Sequence, residues 1–192
     1  MKTSTIIAAV VGLALGGIAG ASAFFGWPML GHGKAALDTP SHPKFSEVAW
    51  PHATDEWGKG KAFRCEAKDC GVEVNVYVRA KIGFCNCMTG VSDDNELDRL
   101  SDFSLMGQKP SVLGPGHEIK VAWMKGRSRA YTIADPYRAP NSALAIAFND
   151  RCDAVVATAV VDHKLPGAIE PSVIDFLNGK DVVHWAEVTL GL

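Results

Sequence analysis

The chain has 192 residues, with 19 lysines and arginines against 21 aspartates and glutamates, for a formal net charge of −2. This mild, mixed balance argues against nucleic acid as a partner, which would call for a basic bias. The length is enough for one domain with a sizeable core.

The chain opens on a targeting element at residues 1–30. Lys2 is the only charge before Lys34, and residues 6–30 are apolar or small. One reading is a secretory signal, with Ala21-Ser22-Ala23 as a small-x-small site and cleavage after Ala23. The other is a retained apolar helix, anchoring residues 5–30 in the inner membrane; about 20 apolar residues span a bilayer. The run continues past Ala23 through Phe24, Phe25, Trp27 and Leu30, and tryptophan suits a membrane interface, so the anchor is preferred. Gly12, Gly16 and Gly20 would share one face of that helix, where small residues let helices approach. In both readings Lys2 stays cytoplasmic and the remainder is exported to the periplasm. Five cysteines in an exported chain predict disulfides, and the odd count leaves one thiol over.

Residues 31–60 read as a Pro/Gly-rich arm. Pro40, Pro43 and Pro51 alternate with Gly31, Gly33, Gly58 and Gly60, which rules out a continuous helix or central strand. Trp50 and Trp57 are the expected docking points. His32, His42 and His52 are evenly spaced, but no acidic or thiol partner stands at ligand spacing, so they read as surface loop residues.

The globular domain is expected over 61–192. Residues 62–64 form a short strand. Residues 72–82 follow with strict alternation: Val72, Val74, Val76, Val78, Ala80 and Ile82 against Glu73, Asn75, Tyr77, Arg79 and Lys81. That is a strand with one dry and one wet face. At about 3.3 Å per residue it holds Cys65 and Cys70 roughly 40 Å from Cys85 and Cys87, too far for one four-cysteine metal centre. A short helix is expected over 93–101, with Asp93 and Glu96 as its capping pair. Residues 109–116 form a Pro/Gly loop. A strand at 119–123 turns at Lys125-Gly126-Arg127 and returns at 130–133, giving a hairpin made basic by Lys120, Lys125, Arg127 and Arg129. Strands at 143–148 and 154–161 flank a turn, and the second is apolar on both faces, hence central and covered. Pro171 opens a helix over 171–178, Gly179 ends it, and a closing strand spans 182–190. The pattern predicts an α+β domain: a mainly antiparallel sheet with two short helices, preceded by the N-terminal apolar helix.

Residues 148–192 carry Arg151-Cys152, the apolar strand, the segment Leu177-Asn178-Gly179-Lys180 and a terminal Leu190-Gly191-Leu192. This stretch resembles the end of the invasion-associated locus B family of periplasmic proteins. The family has a second cysteine shortly after the first, and this sequence has none there. The resemblance implies an exported, non-enzymatic protein and transfers no site residue.

Cys85-Asn86-Cys87-Met88 is the sharpest local cluster. Two thiolates and a thioether are soft ligands that suit copper(I), so a copper- or thiol-handling protein using Cys85, Cys87 and Met88 is the alternative function. Exported thiols oxidise, which favours bridges instead. Cys65 and Cys70 enclose a short loop and are expected to pair. Cys85 and Cys87 are too close to pair with each other, so Cys152 is expected to meet one of them. There is no Gly-x-Ser-x-Gly elbow, and His117, His163 and His184 read as exposed or satisfied residues. Gly58-Lys59-Gly60-Lys61 lacks the context of a phosphate loop. The expected function is therefore an exported periplasmic accessory or interaction protein. It would need no catalytic residue, metal or cofactor, and would partner the membrane and another membrane or periplasmic protein.

Overall fold

The structure is a computed structural model that describes residues 43–83, 86–106, 110–134, 140–162 and 166–192. Its strands are β1 (Phe45–Val48), β2 (Lys61–Cys65), β3 (Val74–Lys81), β4 (Pro110–Val112), β5 (His117–Val121), β6 (Met124–Ile133), β7 (Asn141–Asp150) and β8 (Asp153–Val161). They form one sheet in the order β1-β2-β3-β8-β7-β6-β4, and β5 shares the outer edge of β6 with β4. Every pairing is antiparallel. The helices are α1 (Ala67–Cys70), α2 (Asp94–Leu100), α3 (Glu170–Leu177) and α4 (Lys180–Leu190), with 3-10 turns at Phe103–Met106 and Pro166–Ala168.

The two faces of the sheet bury separate clusters. On one, Val74, Val76 and Val78 of β3, Leu144, Ile146 and Phe148 of β7, and Val155, Ala157 and Val161 of β8 pack with Val173, Leu177, Val182, Ala186 and Leu190 of α3 and α4. On the other, Ala143, Ala145 and Ala147 present only methyl groups. That leaves room for Leu97 and Leu100 of α2, and for Phe103, which stacks edge-on against Tyr131 at 4.6 Å. Strands β7 and β8 are buried on both faces because both are covered.

The fold class departs from the expected α+β domain with two short helices. An eight-stranded antiparallel sheet dominates, and helices play a minor part. The expected N-terminal apolar helix lies outside the described residues; no described helix is long and apolar enough to cross a membrane.

Four segments differ from expectation. Residues 182–190 are helix α4, not a strand. Val182, Ala186 and Leu190 recur every four residues and are its buried positions, so the helical period prevailed over an apparent alternation. Lys125-Gly126-Arg127 is strand interior; the hairpin turns at Ala122-Trp123, where Ala122 has φ 52°. A Cβ on Gly126 would sit 2.1 Å from the Ala147 carbonyl oxygen, so this glycine serves strand packing rather than a turn. Part of the expected loop at 109–116 is strand β4. Inside the expected arm, residues 45–48 pair with β2 as an edge strand.

Candidate functional site

The register brings four segments to one end of the sheet. Lys81 pairs with Ala154, Ala154 with Asn149, and Asn149 with Lys125. The β5–β6 turn therefore lies beside the β7–β8 turn and the exit of β3. A disulfide between Cys87 and Cys152, with Cα atoms 4.2 Å apart, ties the loop after β3 to the β7–β8 turn. Polar contacts complete the attachment. The Gly83 amide donates to Asp153 at 2.6 Å, and the Val91 amide donates to Asn149 Oδ1 at 3.0 Å. Gly90 has φ 62°, and a Cβ there would meet the Asn149 amide at 2.3 Å, so the loop passes close to Asn149 only because that position is glycine.

Three large apolar side chains are exposed at this end: Ile82, Met88 at 91% and Trp123 at 46%. Trp123 sits on the β5–β6 turn, which is held by a hydrogen bond from the Ala122 amide to Asn178 Oδ1 at 2.7 Å. Between this hairpin and the loop is a cleft of about 550 Å³, lined among others by Thr89, Ser92, Lys120, Lys125 and Asn149.

The basic hairpin is only partly free. Arg127 pairs with Asp94 and donates to the Gly116 carbonyl at 2.9 Å. Arg129 pairs with Asp98 at 2.9 Å and donates to the Gly114 carbonyl at 2.9 Å. The Gly116 amide, followed by Arg127, holds the Asp94 carboxyl below its ordinary pKa. Burial, then its hydrogen bond to Asp98, pushes the Tyr131 hydroxyl well up. Lys120 and Lys125 are directly opposite across the strands and exposed. Neither forms an ion pair among the described residues.

A second polar cluster lies under residues 50–58. Arg79 is 2% exposed; it grips Asp102 with two nitrogens and reaches Asp55 at 2.6 Å. Lys81, also buried, lies 2.8 Å from Asp102, donates to the Leu100 carbonyl at 2.6 Å and faces the Trp57 ring. These residues stand on the expected wet face of β3, which is covered after all. His52 stacks edge-on to Tyr77 and Trp50. Burial, then the Arg79 charge, lowers its pKa below 6.5. The cluster is balanced, with two cations against two carboxylates, and anchors the arm to the sheet. Sequence reasoning missed it: the partners are 23 and 24 residues apart, and no local pattern marks them.

The cysteines resolve as Cys65–Cys70 and Cys87–Cys152. They sit at opposite ends of β3, so the four-cysteine centre is not assembled. Cys85, named in the copper reading and as a possible partner of Cys152, lies outside the described residues. With Cys87 oxidised, its sulfur offers copper(I) no thiolate, and Met88 points to solvent. No group of three metal-ligating side chains occurs among the described residues. His117 lies exposed, 3.1 Å from Glu170, and His184 is exposed beside Glu187. His32, His42 and His163 lie outside the described residues. No protein-family model matches the chain, and no curated protein matches it either.

Proposed function

We propose that the chain is an exported periplasmic accessory protein without catalytic activity, tethered to the inner membrane through residues 5–30, that works by binding another membrane or periplasmic protein. The disulfide-pinned end of the sheet carries this reading. An oxidised bridge persists outside the cytoplasm, and here it fixes the loop that exposes Met88 at the same end of the sheet as Trp123. Tryptophan and methionine are enriched in protein interfaces, and a rigid backbone lowers the entropy lost when they bind. The resemblance of residues 148–192 to the invasion-associated locus B family points to the same compartment and to the same lack of catalysis. The apolar run that continues to Leu30 supports the tether.

Fractionation tests the tether. The chain is expected to stay with membranes through a high-salt wash and to leave only with detergent. N-terminal sequencing of the cellular protein that starts at Phe24 would contradict the tether and leave a soluble periplasmic protein.

A further inference from the structure

The cleft on the β5–β6 hairpin carries two lysines that no carboxylate pairs with among the described residues. Lys120 and Lys125 face each other across β5 and β6 with no carboxylate between them, whereas Arg127 and Arg129, one and two pairs further along the same face, each hold an aspartate. Like charges directly opposite in a sheet repel. Glu118, also on the cleft wall, lies opposite Arg127 rather than between the lysines. An anion seated between the two ammonium groups would relieve the repulsion. Thr89 and Ser92, whose hydroxyls can donate to an anion, also line the cleft, as do the apolar residues Val91 and Ile119. The volume of about 550 Å³ admits several side chains of a peptide. Trp123 and Met88, on the chain segments that flank the cleft, offer exposed apolar surface at the same end of the sheet.

Resting on the interaction reading above, we propose that this end of the sheet receives an acidic segment of a partner protein. Carboxylates lie between Lys120 and Lys125, and apolar side chains lie on Trp123 and Met88. An acidic segment fits better than a wholly apolar one because the lysines would otherwise be desolvated without a counter-charge.

The test uses the full chain in detergent micelles and a fluorescein-labelled peptide of alternating leucine and paired glutamates, with a glutamine version as control. The glutamate peptide is expected to bind saturably and to weaken as salt rises. Binding is expected to fall about tenfold in the Lys120→Gln/Lys125→Gln double variant, and also to fall in Trp123→Ala. Both lysines are exposed and mutually repulsive, so the double variant should melt no lower than the wild-type chain. Equal binding of the glutamine peptide, unchanged binding by the double variant, or no saturable binding would each overturn the proposal. Lysine-dependent binding of inorganic phosphate or of anionic lipid vesicles, without binding of the peptide, would also overturn it and assign the cleft to a small anion or a lipid surface. The Cys87–Cys152 bridge and the membrane fractionation are read separately, so this proposal can fail while the exported, tethered reading stands.

Discussion

Arg79 and Lys81 are buried against Asp102, which they share, and Asp55 closes the outer side of Arg79. Removing the shared carboxylate takes away a counter-charge that both buried cations touch. Asp102→Ala is therefore expected to cost about 3–5 kcal/mol, measured by urea unfolding. A cost under about 1 kcal/mol would mean that water reaches the cluster. His52 adds a pH dependence. Burial and Arg79 lower its folded pKa, while the Leu105 carbonyl and Asp102 oppose that shift. Below pH 6.5 the unfolded chain then binds the proton more readily than the folded one. The His52 contribution is full above 6.5 and is lost as pH falls toward the folded pKa. Melting temperatures taken between about pH 7.5 and 5 should drop on acidification, and drop less in His52→Gln. Equal slopes in the two proteins would remove His52 as the cause.

Strand β6 makes a sharper test of how the elements fit. Gly126 lies against the Ala147 carbonyl and Phe148, so Gly126→Val forces β6 and β7 apart and should cost about 1–3 kcal/mol. A turn glycine would tolerate many replacements; this one should not. The same residue shows where sequence reading reached its limit. Lys-Gly-Arg has the composition of a turn, and only the cross-strand neighbours reveal that a side chain would not fit. The apolar face of β3 and the double-sided apolar run of β8 were legible because their own residues mark that burial, whereas the covering of Arg79 and Lys81 on the other face of β3 was not. Asp93 was legible as the cap of α2 for a similar local reason: its side chain accepts from the Glu96 amide three residues on. Helix α4 was not legible. Val182, Val183, Trp185 and Val188 suit a strand by propensity, and packing of Val182, Ala186 and Leu190 on the sheet decides for a helix. Strand β1 was hidden by its flanking prolines, which an edge strand accommodates. In the candidate site, the Lys120–Lys125 pair was visible as basic composition. The neutralisation of Arg127 and Arg129 was not, because Asp94 and Asp98 come from α2, more than thirty residues away.

The described residues combine one antiparallel sheet with two bridges at opposite ends of β3. Each bridge does a different task. Cys65–Cys70 closes a five-residue separation around α1, whereas Cys87–Cys152 spans 65 residues and fixes the end that carries the proposed interface. In the loop-entropy account the long bridge stabilises by about 4 kcal/mol and the short one by about 2 kcal/mol. The long bridge also bears on the proposed compartment, since a chain held in a reducing cytoplasm would not form it. The central claim is best tested by non-reducing peptide mapping of the full chain, taken from cells with free thiols alkylated at lysis. The account predicts peptides cross-linked through Cys87 and Cys152, and others through Cys65 and Cys70. Recovery of Cys87 and Cys152 as separately alkylated peptides would contradict it.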